Sequence, residues 1–231
     1  MPKKAVDFSM LAEDRWWAAA PLGGEREPVL VMVGLLLPFY PYSETQIRVG
    51  KRQKIKLPRS KGPFYAYMTT PRLEADAMAW LKDNGGNIKV IEWALKDHRL
   101  LRVPPGFSAD ALKTFTGFRL VPRIAPPERI SRSGKNTVDG FYEDPGFWPV
   151  SWLTAEAVWG KRRRREDFPS AVRRLSAGTE LEGDPEAAAE LALDGLNNLL
   201  AHQMLWLMPI RGAAAGSPEW DWGWSLIDIF T

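Results

Sequence analysis

The stretch GGNIKVIEWALKDHRLLRVPPG, residues 85–106, predicts a turn, a short helix, a strand and a second turn in succession. Asn87 is suited to cap the helix, because an Asn side chain accepts a hydrogen bond from the free N–H groups of a first turn. RLLRV, residues 99–103, predicts a strand that ends before Pro104. The apolar residues of the helix recur at helical spacing and predict its buried face: Ile88, Ile91, Trp93, Ala94 and Leu95.

The exposed face of this helix shows whether it can contact nucleic acid or only cover a core. That face would carry Lys89, Glu92, Lys96 and Arg99. Glu92 at its centre would repel phosphate, and the face has no side chain placed for bidentate contact with a base. The helix is therefore predicted to serve packing, and nucleic-acid binding to use the phosphate backbone and not the base sequence.

Further elements are predicted on both sides of this stretch. Upstream, Thr70 and Pro71 predict a helix start, and the helical spacing of apolar residues runs to the stop signal NGG at 84–86. Downstream, Ser108 can cap a short helix that runs through Phe115. FRLVP, residues 118–122, predicts a strand that can pair with RLLRV.

Residues 72–122 resemble a winged helix-turn-helix unit. In this resemblance PRLEADAMAWLKDN is the first helix and NIKVIEWALKD is the helix before the wing. RLLRVPPG and GFRLVP are then the two strands of the wing. The resemblance implies an α+β fold for this part of the chain.

Residues 148–210 resemble the same architecture, through WLTAEAVWG, FPSAVRRL and AAELALDGLNNLLAHQMLWL. They are also similar to the small peptide-recognition domains related to PqqD, in which three helices back a three-stranded sheet that accepts a leader peptide as an added strand. Helix starts are predicted at Thr154, near Asp167 and at Asp184-Pro185. The third of these helices has a predicted apolar side: Ala189, Leu193, Leu196, Leu200 and Met204.

The chain is therefore predicted to be an α+β protein with winged-helix-like units and a β-ribbon near its N-terminus. The predicted divisions are an N-terminal α+β unit at 1–122, a linker or long loop at 123–146, and a helical unit with an aromatic tail at 147–231. The order of elements is similar in the two units but their residues differ. An internal duplication, with two units in tandem, stays open at this point.

Positive charge is most concentrated in ETQIRVGKRQKIKLPRSKGP, residues 44–63, which follows a predicted buried strand, VLVMVGLLL at 29–37. Ile47, Val49, Ile55 and Leu57 hold odd positions, while Arg48, Lys54 and Lys56 hold even ones. This period of two predicts a two-stranded ribbon that is apolar on one face and basic on the other. Candidate phosphate contacts lie between positions 48 and 61, with no acid among them: Arg48, Lys51, Arg52, Lys54, Lys56, Arg59 and Lys61.

A second basic cluster is KRRRREDFPSAVRR, residues 161–174, at the predicted start of a helix. Its candidate contacts are Arg162, Arg163, Arg164 and Arg173. Glu166 and Asp167 would cancel part of this charge. The alternative for both basic clusters is a solvated surface with no ligand.

The C-terminal tail SPEWDWGWSLIDIFT, residues 217–231, alternates acidic and aromatic residues. Trp220, Trp222 and Trp224 hold alternate positions, which suits a strand added to an exposed sheet edge of this chain or of another. With Phe230 they are the candidate partner-binding residues. The alternative is that the tail packs on the core of its own chain.

The composition argues against several chemistries. The chain has 231 residues, 45% of them apolar and 26% charged, with a net charge of +3, eleven Trp and no Cys. The absence of Cys excludes disulfides, thiolate metal sites and a cysteine nucleophile. His98 and His202 are the only imidazoles and are expected to be structural, and SRSGKNT at 131–137 lacks the first Gly and the final Ser or Thr of a phosphate-binding loop. We expect no catalytic residue, no metal and no cofactor.

Two functional hypotheses follow for this tryptophan-rich chain. The first is a non-enzymatic protein that binds nucleic acid through its basic ribbon. The second is an adaptor for protein–protein interaction that binds a peptide or an acidic partner by strand addition, or forms a homo- or hetero-oligomer through the tail. The longest apolar run has nine residues, against roughly 20 for a membrane span, so we expect a cytoplasmic protein without a membrane partner.

Overall fold

A computed structural model of the protein describes residue 22 and residues 27–36, 46–49, 54–57, 61–123, 128–131, 137–143, 146–160 and 166–210, with the main chain alone at 128–131, 137–143 and 146–149. The first half of the chain contains β1 (Val29–Met32), β2 (Leu35–Leu36), β3 (Gln46–Arg48), β4 (Lys54–Lys56), α1 (Gly62–Tyr67), β5 (Arg72–Leu73), α2 (Glu74–Asp83), α3 (Lys89–Lys96), β6 (Leu100–Val103) and α4 (Ala109–Lys113). The second half contains β7 (Phe118–Pro122), β8 (Glu128–Ser131), β9 (Thr137–Glu143), β10 (Gly146–Val150), α5 (Trp152–Trp159), α6 (Phe168–Ser176), α7 (Pro185–Ala201) and β11 (Leu205–Pro209). The protein is thus α+β.

A central sheet joins the two ends of the described chain. β1 pairs antiparallel with β6, and β7 pairs antiparallel with β11. Val33, one residue past β1, forms a parallel bridge with Leu207 of β11, which places the two pairs side by side. The strands therefore follow the order β6, β1, β11, β7, and the short β5 pairs with the beginning of β1.

Each face of this sheet is covered by its own set of helices. One apolar cluster contains Val31 of β1 and Leu207 of β11 together with residues of α4, α5, α6 and α7. The other contains Leu30 of β1 and Trp206 of β11 together with residues of α1, α2, α3 and of β3. Neighbouring residues of a strand point to opposite faces, so one sheet serves both clusters.

The two halves of the chain follow the same order of elements. Each begins with a central strand, β1 or β7, and continues with an antiparallel three-stranded sheet, β2–β3–β4 or β8–β9–β10. Each then runs through three helices, α1 to α3 or α5 to α7, into a second central strand, β6 or β11. The first half differs by the two-residue strand β5 between α1 and α2. The helix α4 joins the two halves. The arrangement is therefore a tandem repeat of one topology.

A backbone hydrogen bond repeats at the same point in both halves. The N–H of Val33, one residue past β1, donates to the carbonyl of Arg99 at 2.9 Å. The N–H of Arg123, one residue past β7, donates to the carbonyl of Met204 at 2.8 Å. Arg99 and Met204 each stand directly before the last strand of their half. The two strand pairs therefore have corresponding registers.

The second half is turned over relative to the first. Along the sheet, each half contributes its last strand and then its first, as β6 and β1, then β11 and β7. Because β1 and β11 run parallel while each pair is antiparallel, strand directions are reversed in the second half. Reversing the strand directions while keeping their order along the sheet turns the second half over. The helices of the two halves therefore cover opposite faces of the sheet.

The helix cap predicted at Ser108 is confirmed, because Oγ of Ser108 accepts from the N–H of Ala111 at 3.1 Å. Asn87, predicted to cap α3, stands one residue before the N-cap position at Ile88, and its Oδ1 accepts from the N–H of Lys89 at 2.9 Å. Asp167 and Asp184 cap α6 and α7 in the same way as Ser108 caps α4. The predicted apolar side of the longest helix is confirmed for Ala189, Leu193, Leu196 and Leu200, which are buried on α7. Met204, predicted on the same side, is buried but lies past the end of α7 at Ala201.

Several predicted boundaries are wrong. The run 29–37 is not one strand, because Gly34 at φ +98° ends β1 and turns the chain into β2. The helix predicted at Thr70 begins only at Glu74, because Arg72 and Leu73 pair with β1. The helix predicted from Thr154 begins at Trp152.

The pairing predicted for the two wing strands is also wrong. β6 pairs with β1, and β7 pairs with β11, because α4 and its flanking turns carry the chain from one strand pair to the other. The range 123–146, predicted as a linker or long loop, contains β8, β9 and the first residue of β10. The winged-helix resemblance of the two units stays a prediction.

Candidate functional site

The basic ribbon predicted from alternation is an antiparallel hairpin, β3 paired with β4. Its predicted apolar face is confirmed. Ile47, Val49 and Leu57 are buried and Ile55 is half-buried, and they pack in the cluster that also holds α1 and α3. Because this face is covered, the hairpin is held against the helices and only its other face can meet a ligand.

That other face brings three of the predicted basic residues together. Arg48 stands directly opposite Lys54, and Lys56 stands opposite Gln46. Directly opposed residues have Cβ atoms about 5 Å apart, so the two cations are close neighbours. Lys54 and Lys56 are exposed and Arg48 is half-buried. Arrangements of this kind place several positive charges within reach of one anionic chain.

The Arg48 guanidinium has an unsatisfied donor. Its Nε is buried and has no hydrogen-bond partner among the described residues. A buried N–H without an acceptor costs about 1–3 kcal/mol, and a like charge directly opposite adds to that cost. An anion bound at this face would lower the second of these costs.

Gly34 fixes the position of the hairpin on the central sheet. A Cβ at this residue would lie 2.5 Å from Cγ2 of Ile47 and 2.9 Å from the carbonyl oxygen of Arg48. The main chain at the end of β1 therefore touches β3 directly. The φ of +98° at the same residue also excludes most side chains.

Lys61, predicted as part of the basic face, is engaged elsewhere. Its Nζ lies 3.7 Å from the centre of the Trp93 ring, and the guanidinium carbon of Arg99 lies 4.2 Å from the same ring. Arg99 also approaches Asp97 at 3.6 Å. These contacts attach the start of α1 to α3, so Lys61 contributes to packing between helices.

Arg173, from the second basic cluster, lies far from the hairpin face. It is exposed on α6, whose apolar residues belong to the cluster on the opposite side of the central sheet. Its neighbour Arg174 is paired, because Nε donates to both carboxylate oxygens of Glu166 at 2.9 and 3.2 Å. These hydrogen bonds raise the pKa of Arg174 above its usual value. Of the described members of the two basic clusters, Arg173 thus lies on the opposite side of the central sheet from Arg48, Lys54 and Lys56.

The remaining predicted contacts lie outside the described residues. In the first half these are Lys51, Arg52 and Arg59. In the second half they are Arg162, Arg163 and Arg164, with the tail residues Trp220, Trp222, Trp224 and Phe230.

Sequence reasoning also missed the contact of Arg72 with the aromatic ring of Tyr67. Arg72 is buried, its guanidinium carbon lies 4.5 Å from the Tyr67 ring, and its Nε donates to the Tyr67 carbonyl at 3.2 Å. Tyr67 in turn stacks on Trp80 with ring centres 5.1 Å apart. The one sequence signal for this stack is that several aromatic and basic residues lie close together in this part of the sequence. It ties β5 to α1 and α2.

Other kinds of site find little support in the described ranges. The part of the chain that the structure describes contains no group of three His, Asp or Glu side chains arranged to hold a metal ion. Within the same ranges, no helix combines the length and apolar character that a bilayer span requires. His98 and His202 both lie just past the end of a helix, α3 and α7.

Comparison with known protein families, with curated proteins and with solved structures finds no match to this chain.

Proposed function

We propose that the protein binds the phosphate backbone of nucleic acid through the polar face of the hairpin β3–β4. The observation that carries the proposal is the direct opposition of Arg48 and Lys54 on a face with Lys56 two residues away. Neither Arg48 nor Lys54 forms an ion pair with a described residue. Elsewhere Arg102, Lys113 and Arg174 each pair with an acid of the chain.

The geometry favours backbone contact over base reading. A free two-stranded ribbon can enter the major groove, but here one face of the ribbon is covered by α1 and α3. The exposed side chains are long and cationic and suit phosphate oxygens. The exposed face of α3 supports the same view, since Glu92 lies between Lys89 and Lys96 and all three are exposed.

The experiment is a fluorescence anisotropy titration with labelled random single strands and duplexes. The double variant Lys54→Glu/Lys56→Glu is expected to bind at least about tenfold more weakly than the unchanged protein at low salt. The matched control is Lys89→Glu/Lys96→Glu, which changes the net charge equally on the exposed face of α3. We expect the control to lose less than about threefold, through its long-range field alone.

Two results would contradict the proposal. Absence of binding to either probe at about 50 mM salt would reject nucleic acid as the ligand, because non-specific affinity is strongest there. Equal loss in the two double variants would reject the hairpin as the site and leave only a general charge effect.

A second candidate function, a peptide-binding adaptor, is favoured by a different observation. In the sheet β2–β3–β4 the strand β4 pairs on one side only among the described residues. An edge of this kind can accept an added strand, with main-chain hydrogen bonds supplying affinity. If the tail makes a contact with another chain, removing residues 217–231 should change the elution volume in size-exclusion chromatography. An unchanged volume would count against the adaptor.

A further inference from the structure

The turn between α2 and α3 contains the one Asn-Gly pair of the sequence, Asn84-Gly85. Asn84 directly follows the last residue of α2, and residues 82–89 are all exposed. Gly85 has φ +67°, and among the described residues a Cβ at this position would meet nothing within 4 Å. The main-chain nitrogen of Gly85 therefore stands next to a solvated amide, without a side chain of its own to hinder a reaction between the two.

We propose that Asn84 is a site of spontaneous deamidation. The main-chain nitrogen of Gly85 loses its proton and attacks Cγ of Asn84, so that a C–N bond forms and Nδ2 leaves as ammonia. Water then opens the cyclic imide at one of its two carbonyl carbons. Opening at Cγ gives aspartate, and opening at the main-chain carbonyl carbon gives isoaspartate, whose main chain passes through the former side chain. No atom is oxidised or reduced, and water is the only co-reactant.

Hydrogen bonds of the turn slow this reaction in the folded protein. Nδ2 of Asn84 donates to the carbonyl of Trp80 at 2.8 Å, and the N–H of Gly85 donates to the carbonyl of Lys82 at 3.2 Å. Ring closure needs the nitrogen of Gly85 free of its bond and the amide of Asn84 turned toward it. The reaction therefore starts from conformations in which the last turn of α2 has opened, and helix ends open readily.

The other described asparagines lack this combination. Asn87 precedes Ile88, whose branched side chain crowds the main-chain nitrogen that would attack. Asn197 and Asn198 lie inside α7, where main-chain N–H groups are bonded within the helix. Conversion should therefore be selective for Asn84.

Deamidation would weaken the end of α2. Aspartate at position 84 has no amide N–H for the Trp80 carbonyl, and it adds a negative charge beside Asp83 at the C-terminal end of a helix, where the helix dipole disfavours an anion. Isoaspartate also lengthens the main chain just before Gly86, whose N–H donates to the carbonyl of Leu81 at 2.6 Å. We expect the isoaspartate form to be the less stable of the two products.

Peptide mass spectrometry tests the proposal on the full chain, incubated at about pH 8.5 with and without urea and then digested at acidic pH. We expect aspartate and isoaspartate at position 84 in both samples, formed at least about threefold more slowly in the folded protein. Asn84→Gln is the matched control, because glutamine would have to close a larger ring and should stay intact over the same time.

The competing outcomes are distinct. Asn84 that stays intact in the folded protein while it converts in urea would overturn the proposal, and so would the absence of conversion in both samples. Equal conversion of Asn87 or Asn197 in the folded protein would overturn the role of Gly85. These outcomes are independent of whether the hairpin β3–β4 binds nucleic acid.

Urea unfolding tests the expected loss of stability. Asn84→Asp should lower the unfolding midpoint more than Asn84→Ala, which removes the amide without adding a charge. The difference should shrink at about 1 M salt, where charge interactions are screened. A midpoint for Asn84→Asp equal to or above that of Asn84→Ala would contradict the charge effect at the end of α2.

Discussion

His98 and Gln203 occupy the same position in the two halves of the chain. Each lies just past the end of the helix before the last strand and has the left-handed conformation, with φ 51° and 53°. They are the non-glycine residues with positive φ in the described part of the chain. In each half the next N–H donates to the carbonyl five residues earlier at 2.8 Å. This pattern is that of a Schellman motif, which usually ends in glycine.

His98→Gly is expected to stabilise the protein. The left-handed conformation strains a residue with a Cβ, and glycine removes the strain. After the cost of the larger conformational entropy of glycine in the unfolded chain is subtracted, the free energy of unfolding should rise by roughly 0.5–1 kcal/mol. Gln203→Gly should gain less, because Nε2 of Gln203 donates to Oγ1 of Thr69 at 3.2 Å. Urea unfolding midpoints measure both. Glu92→Gly, on the exposed face of α3, is the control and should lose stability; a loss for His98→Gly would contradict the assignment.

Gly195→Ala is expected to destabilise the contact between α5 and α7. A Cβ at Gly195 would lie 2.6 Å from Oγ1 of Thr154 and 2.9 Å from its Cβ. Thr154 cannot retreat freely, because its hydroxyl donates to the Ala192 carbonyl at 2.8 Å. We expect a loss of about 1–3 kcal/mol in the free energy of unfolding. Glu190→Ala, on the exposed side of the same helix, should change it by less than about 0.5 kcal/mol; similar effects of the two would refute the close approach.

Asp167→Ala is expected to cost more than the loss of a helix cap. Oδ1 of Asp167 accepts from the N–H of Ser170 at 2.9 Å, and Oδ2 accepts from the N–H of Gly117, just before β7, also at 2.9 Å. The substitution should lower the free energy of unfolding by roughly 2–3 kcal/mol. This is the sum of the loss from removing the cap and the loss from leaving the N–H of Gly117 without its acceptor. Asp184→Ala removes a cap alone, at the start of α7, and should cost about 1 kcal/mol. Chemical denaturation compares the two, and equal losses would show that the Gly117 contact contributes nothing.

Local sequence signals predicted much of this fold. Ser108, Asp167 and Asp184 could be identified as caps because a cap depends on a side chain and on the main chain two or three residues away. The faces of the hairpin could be predicted for the same reason, since alternation at Ile47 and Ile55 needs only the pleat of a strand.

Strand pairing could not be predicted from such signals. The contacts of β6 with β1 and of β7 with β11 join residues far apart in sequence, such as Val29 with Val103 and Leu207 with Leu120. Nothing in the sequence of β6 distinguishes β1 from β7 as its partner. The members of the candidate site could not be predicted either. Arg173 is separated from Lys54 because they lie on opposite faces of the sheet, and no local pattern shows this.

Tyr65→Phe is expected to reduce the loss of stability at alkaline pH. Burial raises the pKa of Tyr65 to about 12, with Arg99 opposing part of the rise. In the unfolded chain a tyrosine titrates near pH 10, so between about pH 10 and 12 the unfolded chain loses a proton that the folded protein keeps. The free energy of unfolding therefore falls as the pH rises through this window, by up to roughly 2–3 kcal/mol. Urea unfolding at pH 9, 10 and 11 should show a shallower fall for Tyr65→Phe; parallel curves would contradict the raised pKa.

Lys54→Glu and Arg173→Glu are expected to differ in their effect on nucleic-acid binding, although each changes the net charge by the same amount. Lys54 lies on the hairpin face, and Arg173 lies on α6 across the central sheet. Screening confines the influence of an exposed charge to about 10 Å at 0.1 M salt, so a ligand on the hairpin face should be insensitive to Arg173. We expect about tenfold weaker binding for Lys54→Glu and a change below about twofold for Arg173→Glu, measured by anisotropy with a random single strand.

Urea unfolding of both variants checks that the fold is intact. Equal losses would mean that the nucleic acid wraps around both faces, and a loss for Arg173→Glu alone would move the binding site to α6.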